Sequence, residues 1–267
     1  MKEPNAKTVT QDNALVSACY KMGLDEKRLL VAAIAKLDPT SKAWLAGRAE
    51  VEIGAQEWAD LYGVSRSGAY SQLSKASKEL YNASVRLYGD SKKGKDVRWI
   101  SAREWAEGGG YVRITFGGPI LHYLSGMVDE FTKYDLLGVS NLKSVHSVRL
   151  YELAAQFKRT GWRQVNLDDL RAMMGLEGRY PDWRDLRKVI EKSSKEISQK
   201  SDLSVEWEPV NYGRRVIGIK LKIAERDQLD LPLGDPQKTP LTRKPRTPQS
   251  DRAAISASIM DIKDTDW

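Results

Sequence analysis

The chain has one cysteine and two histidines in 267 residues. A lone cysteine excludes a disulfide framework, and Cys19, on an amphipathic stretch, reads as a small core residue. His122 and His146 stand far apart in sequence, so no His/Cys metal cluster can be assembled. The paired histidines near a tyrosine that a rolling-circle nickase needs are also missing. No run approaches the roughly 18 uninterrupted apolar residues of a membrane span. The opening MKEPNAKTVTQDN lacks the apolar stretch of a signal peptide. These absences predict a cytoplasmic protein with no metal, no other cofactor and no membrane partner. Scattered carboxylates are the one remaining route to an enzyme, and most of them read as solvated surface groups, so no catalytic residue is assigned.

What is present is positive charge, unevenly placed. The net charge is +7 with a pI near 9.3, which favours a polyanionic partner. Residues 225–267 hold seven Lys/Arg and eight Asp/Glu, a net of −1, which leaves +8 on residues 1–224. The same 225–267 segment carries five of the ten prolines and a single aromatic, Trp267. It cannot bury enough apolar surface to offset its ordering entropy, so it is expected to be a disordered tail.

Two stretches of the remainder resemble each other. EWADLYGV (57–64) is followed by SKEL (77–80) and VRLY (85–88); DLRAMMGL (169–176) is followed by SKEI (194–197) and VEWE (205–208). Each reads as a short helix ending at a glycine, a turn, a longer helix and a β-rich run. Gly63 and Gly175 fall where the turn of a helix-turn-helix calls for a positive φ. Each copy is preceded by an amphipathic helix, with Leu29, Leu30, Ala33, Ile34 and Leu37 in the first and Leu150, Leu153, Ala154 and Phe157 in the second. Each long helix is followed by an expected hairpin. The first is SVRLYGDSKKGKDVRWISA (84–102), with Lys92, Lys93 and Lys95 at its tip. The second is LSVEWEPVNYGRRVIGIKLKI (203–223), with Arg214 and Arg215 in the turn and Ile217, Ile219, Leu221 and Ile223 alternating toward one side. Within the first, GDSKKGKD nearly spells a P-loop, but Asp96 stands where magnesium coordination needs Ser or Thr, and the segment joins two strands. EGGGY (107–111) reads as a turn before a strand over 111–116.

The predicted fold is therefore α+β: two tandem winged-helix domains related by pseudo-symmetry, with a nucleic-acid partner more natural than any substrate. The two long helices carry different faces. The first presents Ser67, Ser71, Ser74, Lys75 and Lys78 opposite Ala69, Leu73, Ala76 and Leu80, which suits phosphate contacts. The second begins in GRYPDWRDLRKVI, where Pro181 has a φ preset for a first helical position. Trp183, Leu186, Ile190 and Ile197 form its apolar stripe, and Arg184, Asp185, Lys188, Lys192 and Lys195 lie opposite. A solvated helix also carries charge, and that plain alternative stays open. Arginine can pair bidentately with guanine and aspartate can accept from cytosine, so this mixture favours base reading.

Several segments resemble one family, the iteron-binding replication initiators of theta-replicating bacterial plasmids. They are NALVSACYKMGLDEKRLLVAAIAKLD (13–38), YVRITFGGPILHYL (111–124) with FTKYDL (131–136), SVHSVRLYEL (144–153) and RYPDWRDLRKVI (179–190), together spanning about residues 12–224. The resemblance implies monomers bound to directly repeated double-stranded origin DNA, dimers that repress the initiator's own gene, and recruitment of the host initiator ATPase and replicative helicase. It places Arg179, Asp182 and Arg184 at or beside the base-reading surface, whereas Asp185 and Leu186 fall where relatives are often basic. The expected layout is a flexible N-terminus over 1–11, a first domain over 12–140 for dimerisation and backbone contacts, a second over 141–224 for specific binding, and the tail. Ile114, Phe116, Ile120 and Leu121 serve either the first domain's core or its self-association. The runner-up is a transcriptional repressor of the same architecture with no replication role. In the tail, QLDLPL (Gln228, Leu229, Leu231 and Leu233 its key residues) resembles the peptide that docks replication proteins on the polymerase sliding clamp. The alternative is that its leucines pack back on the second domain.

Overall fold

The structure is a computed structural model that describes residues 8–38, 41–88, 94–105, 110–124 and 130–226. The first half runs β1 (Thr8–Asp12), α1 (Asn13–Val16), α2 (Leu24–Ile34), α3 (Lys42–Leu45), β2 (Ala49–Gly54), α4 (Ala55–Tyr62), α5 (Arg66–Asn82), β3 (Ser84–Tyr88), β4 (Gly94–Arg98), β5 (Ile100–Trp105) and β6 (Tyr111–Phe116). It continues through α6 (Gly118–Leu121), a 3-10 turn, β7 (Phe131–Asp135) and α7 (Leu136–Ser140). The second half is α8 (Val145–Ala155), β8 (Trp162–Asn166), α9 (Leu167–Met173), α10 (Trp183–Lys200), β9 (Leu203–Tyr212) and β10 (Arg215–Glu225).

The two glycines behave as their positions require. Gly63 ends α4 at φ 64° and Gly175 follows α9 at φ 68°. At Gly175 a side chain is also excluded by the close approach of the Tyr20 carbonyl. The stripes predicted for both long helices are buried: Ala69, Leu73, Ala76 and Leu80 on α5, and Leu186, Ile190 and Ile197 on α10. Trp183 lies half-buried, edge-on to Trp207 of β9.

The sheets revise one assignment. The second half's sheet has the order β8-β10-β9, and the first half repeats it as β2-β6-β5. The strand before the short helix thus pairs in both halves with the later wing strand. The first half's wing is β5–β6, whose tip falls in residues 106–110. The basic hairpin β3–β4 is a separate two-stranded sheet inserted after α5, not the wing. The expected single hairpin over 84–102 breaks at Trp99, a fully buried indole that anchors the switch from β4 to β5. Lys92 and Lys93 lie outside the described residues, while Lys95 sits in β4 opposite Leu87 with its side chain exposed.

Three smaller expectations also change. The segment 1–11, expected to be a flexible N-terminus, contains most of β1, which pairs antiparallel with β7 and buries Val9 completely. Ile217 does not join the buried row of Ile219, Leu221 and Ile223. The β9–β10 register shifts between Val216 and Gly218, which leaves Ile217 46% exposed. Pro181 precedes α10 instead of starting it: Asp182 is the N-cap, and its carbonyl accepts from Leu186.

One apolar core runs from Val9 to Ile223 through both halves. Its least expected members are charged. Lys27 of α2 and Glu152 of α8 form a fully buried ion pair at 2.8 Å, and Arg149 Nη1 reaches the other Glu152 oxygen at 3.0 Å. The same guanidinium donates to the carbonyls of Val16 and Ala18, from the first half, and to that of Met173, from the second. Tyr134 and Gln11 also donate to Glu152. Burial alone would raise the Glu152 carboxyl, but Lys27 and Arg149 reverse this and hold it at about 2. Ile114, Phe116, Ile120 and Leu121 are buried in the same core, so they form no free surface for a second copy.

Candidate DNA interface

The charged face of α10 is open to solvent. Arg184, Lys188, Lys192 and Lys195 are exposed, and Asp185 is half-exposed. Arg184, Lys192 and Lys195 have no ion-pair partner among the described residues. Asp185 is held by Lys188 one turn on, at 2.9 Å. The structure therefore gives that carboxylate a partner on its own face, which offsets its charge before any DNA arrives. Arg179 and Asp182 are exposed just ahead of the helix, and the Asp182 side chain makes no capping bond.

Two contacts fix the helix beneath this face. Near its end, Glu196 accepts from the Ser147 hydroxyl at 2.6 Å and from the Lys143 backbone amide at 2.9 Å, tying α10 to the start of α8. Burial opposes ionisation of Glu196, but these donors and Lys200 keep its pKa below the usual carboxylate range. In its last turn, the Ser198 hydroxyl exchanges hydrogen bonds with both backbone groups of Val205 in β9, so helix and wing are locked together. The wing turn is Gly213–Arg214, with Gly213 at φ 59°. Arg214 and Arg215 are exposed there beside Tyr212, which is 80% exposed.

On α5, Ser67, Ser71, Lys75 and Lys78 are exposed, whereas Ser74 is half-buried and its carbonyl accepts from Ser77 and Arg103. Arg103 thereby ties β5 to α5, and its guanidinium stacks 4.0 Å from the ring of Trp105, the last residue before that wing's tip. Trp105 and Tyr212 end the first wing strand of each half, and both are at least half exposed. The sequence pattern did not single out either residue. An exposed aromatic in a short strand looks locally like any core position. The face of α5 is thus cationic and hydroxyl-rich, and that of α10 is cationic with a guanidinium and a carboxylate at its start. Among the described residues no group of three or more His, Cys, Asp or Glu could hold a metal ion, and no helix is long and apolar enough to cross a membrane.

Two helix-turn-helix units, each backed by a three-stranded sheet of the same order, define a protein with two winged-helix domains. The chain belongs to the Initiator Replication protein family: residues 8–155 match its first winged-helix domain and residues 166–223 its second. It is similar to a replication initiation protein of Escherichia coli, 25% identical over 204 residues, covering 74% of this chain and 64% of that relative. It is also similar to the PI protein of Escherichia coli, 25% identical over 266 residues and covering 87% of it. The solved structure of a Pi initiator protein in complex with iteron DNA shares the fold, with a TM-score of 0.71 at 22% identity over 85% of this chain and 100% of that one.

Proposed function

We propose that this protein initiates plasmid replication by gripping directly repeated origin sites with both winged halves. In this reading α10 enters the major groove and reads base edges with Arg179, Asp182, Arg184 and Asp185, while Lys188, Lys192 and Lys195 engage the flanking phosphates. The face of α5, with Ser67, Ser71, Ser74, Lys75 and Lys78, and the basic turns at Lys92, Lys93, Lys95, Arg214 and Arg215 contact the backbone. The observation that carries the proposal is the open, cationic face of α10 held rigidly on α8 and β9. Relatives named as replication initiators, one of them seen on iteron DNA, support it.

The family resemblance extends the proposal. Monomers help to open the origin and recruit the host initiator ATPase and helicase; dimers formed through residues 12–140 repress the initiator's own gene; the protein works in the cytoplasm, associated with plasmid and nucleoid. The sliding-clamp motif Gln228, Leu229, Leu231 and Leu233 lies outside the described residues and stays part of this proposal. Selection of bound fragments from random DNA, followed by footprinting, tests the core of it. The expected result is one directly repeated site protected at adjacent major-groove bases, and recovery of unrelated sequences would reject it. On a supercoiled plasmid carrying that site, binding should make nearby thymines reactive to permanganate. Binding with no unpairing would favour the repressor.

A further inference from the structure

We propose that Arg171 is a positioning residue for sequence-specific binding, setting where the first turn of α10 lies without touching DNA itself. The inference rests on the reading of α10 as the base-reading helix.

Arg171 grips both ends of the connection between α9 and α10. Its carbonyl accepts from Leu176 at 2.7 Å, where the connection begins. Its guanidinium spans the other end: Nε donates to the Tyr180 carbonyl at 3.3 Å, Nη2 to the Pro181 carbonyl at 3.0 Å, and Nη1 pairs with Asp168 at 2.8 Å. All three nitrogens are thus engaged, and the side chain is only 16% exposed, so it is not a free phosphate ligand. Asp182, the N-cap of α10, follows directly after these two carbonyls.

The connection needs such a hold. Gly175 and Gly178 have φ of 68° and 72°, and Tyr180 has φ 53°, the one non-glycine residue with positive φ among the described residues. A bulky residue in that region, immediately before a proline, persists only where its surroundings over-determine it. The planar fork of an arginine can hold two successive carbonyls at once, whereas a lysine has a single point of charge.

The test uses full-length protein and four variants: Arg171→Ala, Arg171→Lys, Arg184→Ala and the double Arg171→Ala/Arg184→Ala. Affinity is measured for the selected repeat and for an unrelated duplex of equal length at one salt concentration. Arg171→Ala should lower affinity for the repeat about tenfold, the size of one lost bidentate base contact, and leave the unrelated duplex unchanged. Arg171→Lys should not restore the loss. In the Arg184→Ala background the further loss should be smaller than in the parent protein, because Arg184 is one of the base-reading groups that Arg171 positions. If Arg171→Ala melts too low to assay, Arg171→Gln carries the same test. Equal losses on both duplexes, or full additivity with Arg184→Ala, would overturn the clasp. An unchanged preference in Arg184→Ala alone would overturn the reading of α10, and the clasp with it.

Discussion

The two helix-turn-helix units share a backbone plan and differ in the length and fastening of the turn between their helices. Ala59 and Arg171 occupy equivalent positions on α4 and α9, and the carbonyl of each accepts from the amide of the residue after the turn glycine, Val64 in one half and Leu176 in the other. In the first half only three residues separate α4 from α5, and the alanine is simply buried. In the second half nine residues separate α9 from α10, and the arginine side chain closes them into a fixed loop. A short turn holds itself. A long one gains room for residues such as Arg179 ahead of the helix, and it needs an added fastening to keep them in register. The same contrast runs through the faces, serine and lysine on α5 against arginine and aspartate on α10. In the proposed function one half holds DNA and the other chooses it.

That division does not extend to stability. Lys27, Arg149, Glu152, Tyr20 and Tyr134 join the halves in one buried network, so they should unfold together. Glu152→Ala strips the partner from two buried cations and should destabilise the protein by about 3–5 kcal/mol. Chemical denaturation should show a single shifted transition; two separate transitions in the native protein would break the picture of one unit. The acid limb follows from the same carboxyl. Its folded pKa near 2 lies below the ordinary 4.5, so its stabilisation is complete above about pH 4.5 and lost as pH falls toward 2. Glu152→Gln should flatten that part of the stability-against-pH curve.

The contrast between faces is sharpened by two binding measurements. Arg184→Ala should weaken binding to the selected repeat by roughly 1–3 kcal/mol and relax the preference at one base position. Lys78→Ala should weaken all sequences similarly, by less, and reduce the slope of log K against log salt by about one. Equal loss of preference from both variants would erase the proposed division between the helices.

Much of this was legible in the sequence, and what was missed was non-local. The turn glycines, the stripes of α5 and α10 and the long second hairpin are written in 3.6- and 2-residue periods that depend on neighbours in the chain. The first wing was misplaced because β3–β4 and β5–β6 are both short alternating runs, and only pairing with β2 tells them apart. Arg149 and Glu152 look like the solvated side of a helix. Their burial comes from β1, the segment after α1, and α9, which surround α8 on sides its own pattern cannot reveal. Arg171 left a faint trace: an arginine in an otherwise apolar helix end, followed by two glycines and a proline.

The finest test of the comparison falls on Asp185, the acidic group in the first turn of α10. Its ion pair with Lys188 joins a half-exposed carboxylate to an exposed ammonium, so removing it should change stability by no more than about 0.5 kcal/mol. DNA binding is more discriminating than stability here. A carboxylate near phosphates repels every duplex alike, and Asp185→Asn relieves that repulsion whatever the sequence. Affinity for an unrelated duplex should therefore rise, by about threefold at moderate salt. If the carboxylate also accepts from a cytosine amino group, the repeat gains no such benefit, because an amide presents both a donor and an acceptor where only an acceptor fits. The ratio of the two affinities should then fall even as weak binding improves. Equal gains on both duplexes would show that Asp185 only steers Lys188, and would leave Arg179 and Arg184 as the residues with which this helix reads sequence.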